Sequence, residues 1–202
     1  GYLVVCFDFR GGGPGSQSDG SPLEMTIFTE QQDLEAEIAM LRARSDVNEQ
    51  YIFLLGNSQG GVVSALTAAA YPDWVRAMAL SSPAFSLADD ARKLFGSADE
   101  IPEQYFHLMM NVGRDYFASV YDFDPIDAAK SYPGDVLIFH GDRDTLVPID
   151  YSRRAAESFP NAMLQVLSGE GHMYSGQAVR QTIDSISDFF YTPLEKAATP
   201  QS

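Results

Sequence analysis

One serine of the chain has the neighbours of an activated nucleophile, Ser58 in Gly56-Asn-Ser-Gln-Gly60. An apolar run at 51–56 leads into this Gly-x-Ser-x-Gly pattern, and a helix-forming run, Gln59–Ala70, follows at once. A strand that turns directly into a helix presents the serine hydroxyl at the helix N-terminus, where the helix dipole favours developing negative charge. The backbone N–H of Gln59 would then be one oxyanion donor. We expect the glycines on either side of the serine to remove Cβ atoms that would collide in this turn.

A serine hydroxyl needs a positioned base to react at neutral pH, and the chain has three histidines. His172 lies in a glycine-rich loop, Gly169-Glu-Gly-His172, before the last helix-forming run. His140 ends an apolar run, so we expect it to be packed or bonded to neighbouring backbone. His107 lies in an aromatic-rich segment, where it could contact substrate, although a structural role fits better. We therefore predict His172 as the base.

The base needs a carboxylate that fixes its tautomer and stabilises the imidazolium. Two aspartates, Asp142 and Asp144, follow the apolar run at 136–140. By spacing alone they are near equals. The chain order of serine, acid and histidine is the order found in α/β hydrolases.

Short apolar runs alternate with longer amphipathic runs along the chain. Most of the short runs are continuous stretches of Val, Ile, Leu and Phe, as in parallel strands that helices cover on both faces. The alternation predicts an α/β fold with a mostly parallel sheet. The predicted strands are 2–9, 51–56, 75–81, 136–140 and 162–167, and the predicted helices are 29–44 (capped by Thr29), 59–70, 149–158 and 177–190.

One segment, residues 83–134, interrupts this alternation and has no clear core strand. A long aromatic-rich insertion is usually a lid or a substrate-binding cap. The alternative is a small satellite core, and the two are compatible because a cap must pack against itself before it can bind substrate. The prediction is a core at 1–82, a cap at 83–134 and a second core segment at 135–202. The cap side chains expected to bind substrate are Tyr105, Phe106, Tyr116 and Tyr121.

Several segments resemble those of α/β-hydrolase carboxylesterases, above all the cinnamoyl (feruloyl) esterases of gut bacteria. They are Gly56-Asn-Ser-Gln-Gly-Gly61, His140-Gly-Asp-Arg-Asp-Thr-Leu-Val-Pro148, Gly169-Glu-Gly-His172 and the opening Gly1-Tyr-Leu-Val-Val-Cys-Phe-Asp-Phe-Arg-Gly11. The resemblance covers essentially the whole chain and implies the α/β-hydrolase fold with a cap. It assigns the acid to Asp144, three residues before Val-Pro, with Asp142 as the fallback. The chain departs from the family at Asn57, often a histidine there, and the family's tyrosine near the cap's exit has no clear equivalent.

The activity implied by this resemblance is that of a serine hydrolase acting through an acyl-enzyme. The substrate would be a small acyl or aryl carboxylic ester, with a hydroxycinnamate ester as one candidate. A peptidase or thioesterase with the same three residues is the alternative. A catalytically impaired relative that serves as a binding module is a third interpretation.

The resemblance also implies that the chain starts at the family's fourth strand and is N-terminally truncated relative to the family. The loop after the family's third strand supplies a second oxyanion donor, which we then expect to be missing. Two outcomes are expected: a fragment of a longer chain, or a sheet that closes directly with residues 2–9 against 51–56. In either case, the sheet face covered only by the 177–190 helix should expose apolar side chains.

Composition limits the partners. A formal net charge of −15 with only 13 Lys and Arg residues argues against nucleic acid. No apolar stretch approaches the ~20 residues that a membrane span needs, so we predict no membrane partner. The single cysteine, Cys6, is expected to be buried in its apolar run. Because one cysteine permits no intrachain disulfide, the sequence is compatible with a cytoplasmic location. A homodimer remains open.

No cofactor or metal is predicted. The glycine-rich run at 10–15 lacks both the Gly-x-Gly-x-x-Gly order of dinucleotide sites and the lysine of a phosphate-binding loop. The histidines and acidic residues show no metal-ligand spacing.

Overall fold

The structure, a computed structural model, describes residues 1–13 and 15–198, with side chains described through Tyr191. Two compact units are formed, the first by residues 1–47 and 86–125 and the second by residues 48–85 and 126–202. The elements in chain order are α1 (Ile27–Arg42), β1 (Phe53–Asn57), α2 (Gln59–Ala70), β2 (Ala77–Ser81), α3 (Leu87–Leu94), a 3₁₀ turn (Ala98–Glu100), β3 (Gln104–His107), β4 (Met110–Gly113), α4 (Arg114–Ala118), α5 (Pro125–Ala129), β5 (Asp135–Gly141), α6 (Ile149–Ser158), β6 (Ala162–Leu167) and α7 (Gly176–Ala198).

The second unit is built on a parallel sheet with the strand order β1-β2-β5-β6. Four of the predicted strands are confirmed, with ends that differ by at most two residues, and the predicted helices α2 and α6 are confirmed without change. The predicted final helix is also confirmed and extends further, to Ala198. The two inner strands, β2 and β5, are almost completely buried, as their continuous apolar sequences predict.

Helices cover both faces of this sheet, as predicted. On one face Gly56 of β1 lies against α2, and His140 of β5 contacts α6. On the other face Phe53 stacks on Phe190 of α7, with 4.6 Å between ring centroids. Alternating residues of a strand point to opposite faces, so Leu55 lies on the α7 side; it is 62% exposed. An exposed apolar side chain on the α7 face agrees with the expectation from sequence.

In the first unit, helix α1 begins two residues before the predicted start. Thr26 is the N-cap: its side chain accepts from the Thr29 N–H at 3.1 Å, and the Thr26 N–H donates to Thr29 Oγ1 at 2.9 Å. Thr29, predicted as the cap, is therefore the third helical residue and the reciprocal half of a capping box. The buried residues of α1 are Ile27, Glu30, Leu34 and Ile38.

The insertion contains a β-hairpin that the sequence did not predict, β3 paired antiparallel with β4. Its two turn residues, Leu108 and Met109, have φ angles of 43° and 77°. Two-residue hairpin turns with positive φ favour asparagine and glycine, so this turn lacks the usual sequence signal. The insertion also packs on the N-terminal segment, since Phe123 contacts Phe28 edge to face with centroids 5.2 Å apart.

Three expectations about the N-terminal residues are wrong: a strand at residues 2–9, a buried Cys6, and a sheet closed directly by that strand. Residues 2–9 form no strand, and nearly all of them, including Cys6, are exposed. A strand exists only when its backbone pairs with a neighbouring strand, and no ladder includes these residues. The expected direct closing of the sheet by residues 2–9 is therefore wrong.

Among the described residues, no helix is both long enough and apolar enough to cross a membrane.

Candidate active site

Ser58 connects β1 to α2 in a strained backbone conformation, with φ of 52° and ψ of −120°. Positive φ is uncommon for a residue with a side chain and persists only where the surroundings impose it. Here the backbone N–H and the backbone carbonyl of Ser58 are both held by hydrogen bonds. The Ser58 N–H donates to the Ser81 carbonyl at 2.9 Å, and the Ser58 carbonyl accepts from the N–H groups of Gly61 and Ala84, each at 3.0 Å.

The glycines of this turn differ in how much space a side chain would have at each position. A Cβ on Gly56 would lie 2.4 Å from the Gly60 carbonyl oxygen and 2.6 Å from Ser64 Oγ, so Gly56 must lack a side chain, as predicted. A Cβ on Gly60 would meet no atom within 4 Å, so the predicted collision at that position is wrong. The second crowded glycine is Gly61, where a Cβ would lie 2.9 Å from Pro83 Cβ.

The predicted base and nucleophile lie together at the carboxyl end of the sheet. His172 Nε2 is 3.1 Å from Ser58 Oγ, and His172 Nδ1 is 2.7 Å from Asp144 Oδ2. A carboxylate only accepts hydrogen bonds, so Nδ1 carries the proton and Nε2 accepts from the serine hydroxyl. The three side chains therefore form one hydrogen-bonded series, which is the arrangement needed to remove a proton from Ser58.

The Asp144 side chain is fully buried and has a hydrogen-bond donor at each oxygen. Its Oδ1 accepts from the backbone N–H groups of Leu146 and Val147, each at 2.9 Å, and its Oδ2 accepts from His172. Burial alone would raise the pKa of Asp144, but these hydrogen bonds outweigh it and hold the pKa below its ordinary value. Asp144 is therefore a carboxylate at neutral pH.

Asp142, the alternative acid, has a different position. Its Oδ1 accepts from the Gly169 N–H at 2.6 Å. This contact holds one end of the histidine loop, residues 168–175, which joins β6 to α7. The loop also approaches Gly141 so closely that a Cβ there would lie 2.3 Å from the Glu170 carbonyl oxygen.

Tyr174, at the other end of the histidine loop, and its hydrogen-bond partner Ser82 were not identified from sequence. Tyr174 Oη donates to the Phe139 carbonyl at 3.1 Å and lies 2.9 Å from Ser82 Oγ, so the Ser82 hydroxyl donates to it. Burial raises the pKa of Tyr174, which keeps its phenol neutral. Ser82 has φ of 43° directly after β2. The only signal in the sequence was that Tyr174 lies two residues after His172.

Gln59 is the first residue of α2, directly after Ser58. The first N–H groups of a helix have no acceptor within the helix and point out of its N-terminus. The Gln59 N–H is therefore in the position expected of an oxyanion donor.

Within the part of the chain that the structure describes, no cluster of three or more His, Cys, Asp or Glu side chains could hold a metal ion.

The four predicted substrate-binding aromatics belong to the first unit, where most of them pack on neighbouring residues. Tyr105 contacts Phe95 and Phe117 edge to face, at 5.2 and 5.7 Å between ring centroids. Tyr116 contacts Phe117 and is 4% exposed. Phe106 is 68% exposed.

Tyr121 is fixed by its polar groups. Its hydroxyl donates to the Phe95 carbonyl at 3.0 Å, and its own carbonyl accepts from Arg92. These contacts match the small satellite core that was one of the two interpretations of the insertion. The role of the four side chains in substrate binding stays a prediction.

Comparison with known proteins gives one family match and distant curated relatives. The family model described as serine aminopeptidase S33 matches residues 1–122, which include Ser58. The uncharacterized protein YfhR of Escherichia coli O157:H7 is 30% identical over 173 residues, which are 84% of this chain and 53% of YfhR. The chain thus spans about half the length of the curated relatives it matches.

Solved structures with a similar fold include Est1E from Butyrivibrio proteoclasticus with ferulic acid bound. That structure has a TM-score of 0.82 and 26% identity, and the match covers 95% of this chain and 76% of Est1E. Alpha/beta hydrolase domain-containing protein 10 from mouse has a TM-score of 0.73 at 20% identity, covering 92% of this chain and 76% of the mouse protein. The latter identity is low enough that the likeness concerns the fold alone.

The three glycines near Ser58 give a stability prediction. We expect Gly60→Ala to leave stability unchanged or to raise it by up to about 1 kcal/mol, because alanine favours the helix and no atom obstructs the methyl group. Gly56→Ala should lower the free energy of unfolding by about 2 kcal/mol or more, because its methyl group would collide with backbone. The free energy of unfolding of Gly61→Ala should lie between those of the other two variants. Urea denaturation of the three variants measures this, and a Gly60→Ala variant as unstable as Gly56→Ala would contradict the geometry.

Proposed function

We propose that this chain, which belongs to the serine aminopeptidase S33 family of α/β hydrolases, is a serine hydrolase that cleaves small carboxylic esters through an acyl-enzyme. The single observation that carries the proposal is the hydrogen-bonded series from Ser58 through His172 to Asp144. Family membership confirms the resemblance to α/β hydrolases that the sequence motifs indicated.

In the first half of the proposed reaction, Ser58 Oγ attacks the acyl carbon while His172 Nε2 takes the hydroxyl proton. Asp144 holds the Nδ1–H of His172 and stabilises the imidazolium that forms. The carbonyl oxygen becomes negatively charged beside the Gln59 N–H, at the positive end of α2. The intermediate then collapses, the alkoxide leaves with the proton from His172, and the acyl group stays on Ser58.

In the second half, water replaces the alcohol. His172 Nε2 takes a proton from the water as it attacks the acyl carbon, and the tetrahedral intermediate forms again. Ser58 leaves and recovers the proton, so the products are one carboxylic acid and one alcohol, and the enzyme is unchanged. The residues of the first half serve again because both halves pass through the same kind of intermediate.

We propose a small acyl or aryl ester as the substrate, with a hydroxycinnamate ester as the specific candidate. The likeness to Est1E, solved with ferulic acid bound, supports an aryl acyl group. The net charge of −15 disfavours polyanionic substrates. The four aromatic residues Tyr105, Phe106, Tyr116 and Tyr121 remain the proposed contacts to substrate, and the exposed ring of Phe106 is the most accessible of them.

An aminopeptidase is the second candidate, because the matching family model carries that description. The same nucleophile, base and acid can cleave an amide. The two activities differ in the leaving group, an alcohol for an ester and an amine for a peptide.

Ser58→Ala should abolish covalent labelling by a fluorophosphonate and reduce ester turnover by several orders of magnitude, as loss of the nucleophile does in other serine hydrolases. Labelling followed by gel fluorescence and mass spectrometry measures this. Ser158→Ala, at an exposed helical serine, is the matched control and should label like the unchanged chain. Labelling at another serine in the Ser58→Ala variant would refute the assignment.

Asp144→Asn should reduce kcat by about ten-thousandfold, the effect of the equivalent change in a serine protease. Both carboxylate oxygens accept hydrogen bonds here, and an amide can present an acceptor on one side only. Asp142→Asn is the control: its amide oxygen can still accept from the Gly169 N–H, so we expect at most a tenfold loss. Steady-state kinetics decide, and a larger loss in Asp142→Asn would move the acid to that residue.

A substrate panel distinguishes the proposed activities. We expect turnover of p-nitrophenyl acetate, p-nitrophenyl butyrate and methyl ferulate, and none above the Ser58→Ala background with an aminoacyl p-nitroanilide. Faster cleavage of the anilide would favour the aminopeptidase. No turnover of any substrate by a folded chain would favour a binding module.

A further inference from the structure

We propose that His140 is a positioning residue that orients the Asp144 carboxylate toward His172. The inference rests on the proposed hydrolase function for its meaning, but the geometry behind it is independent of the substrate. His140 is the penultimate residue of β5 and is completely buried. From its place at the end of an apolar run, His140 was expected only to be packed or bonded to neighbouring backbone.

Both ring nitrogens of His140 have fixed partners, and these determine its tautomer. Nε2 lies 2.9 Å from the Val147 carbonyl oxygen, and Nδ1 lies 2.6 Å from Ser152 Oγ. A carbonyl only accepts, so Nε2 carries the proton and Nδ1 accepts from the serine hydroxyl. Burial lowers the pKa of His140, which favours this neutral form.

The protonated nitrogen of His140 is close to the carboxylate that binds His172. Nε2 lies 3.2 Å from Asp144 Oδ2, the same oxygen that accepts from His172 Nδ1. The positive end of the N–H dipole therefore lies beside the negatively charged oxygen in a site that excludes water, where such interactions are strong.

His140 also acts on the other carboxylate oxygen through Val147. The carbonyl of Val147 accepts from His140, and the N–H of Val147 donates to Asp144 Oδ1. The His140 imidazole thus fixes Val147, whose N–H binds Asp144 Oδ1, and the imidazole itself lies beside Asp144 Oδ2. Ser152 of α6 fixes the ring from its other side, so the carboxylate is held in place by both β5 and α6.

Two substitutions separate the two sides of the ring. His140→Gln can place an amide N–H near the position of Nε2, where it can reach Val147 and Asp144. His140→Asn is shorter, so its amide lies near the position of Nδ1 and contacts Ser152 instead. Both variants keep a polar amide at the same buried site, which makes each the control for the other.

We expect His140→Asn to reduce kcat about tenfold to a hundredfold, the range known for outer partners of metal ligands, with KM changed less than twofold. His140→Gln should recover most of that loss. The fluorophosphonate labelling rate of Ser58 should follow kcat. An equal fall in kcat in the two variants would overturn the inference. So would an increase in KM with kcat unchanged.

A second measurement does not require turnover. The proton between His172 Nδ1 and Asp144 should give a low-field ¹H NMR signal that persists in the unchanged chain and in His140→Gln. The signal should broaden or vanish in His140→Asn, and its survival there would count against the positioning role. If the unchanged chain neither labels nor hydrolyses esters, the proposed function fails, while this comparison still decides the role of His140.

Ser152→Ala covers the case in which His140→Asn does not fold. It removes the donor to Nδ1 and should lower the melting temperature, but it leaves the Nε2–H beside Val147 and Asp144. The low-field signal should therefore persist in Ser152→Ala. Its loss there would show that general packing around the ring, rather than the N–H, holds the carboxylate.

Discussion

The backbone of Ser58 is the constraint on which the site depends. A residue with a side chain at positive φ is destabilised by about 1–3 kcal/mol relative to an ordinary conformation. The strain is offset by hydrogen bonds at both ends of the residue, to Ser81 at the end of β2 and to the turn that contains Ala84. The hydroxyl therefore extends from the carboxyl end of the sheet because two neighbouring strands are in parallel register. A shift in that register would release the serine into a relaxed turn.

The segment from the end of β5 to the start of α6 supplies the acid of the site and the groups that hold it. Within it, Asp144 contacts the base, Asp142 holds the histidine loop at Gly169, and His140 lies behind the carboxylate. The sharp turn that follows Asp144 brings the Val147 N–H back to its carboxylate. A few consecutive residues can do all of this because each faces a different neighbour: the loop, the base or helix α6.

The parts of the structure that sequence could predict are those determined by local patterns. The inner strands are continuous apolar runs, and the turn at Ser58 has its own glycine pattern, so both were predicted nearly residue by residue. Residues 2–9 also read as a strand, but a strand needs a partner, and pairing is not a local property. The hairpin at Leu108 was missed because its turn carries no glycine or asparagine. The contact between His140 and Asp144 was missed because their four-residue separation says nothing about how the chain turns between them.

Two histidines share the carboxylate of Asp144, and their other nitrogens determine what each can do. The second nitrogen of His140 is held by Ser152 of helix α6, in a ring completely removed from solvent. To protonate the His140 Nδ1, the Ser152 hydroxyl would have to turn from donor to acceptor, and burial lowers the pKa of His140 and so disfavours the charged ring. The second nitrogen of His172 faces the hydroxyl of Ser58, and its side chain is 14% exposed. Acid–base chemistry requires a nitrogen whose partner is the reacting group itself. The same carboxylate can therefore serve a fixed histidine and a reactive one, and only the reactive one has a partner that changes during the proposed reaction.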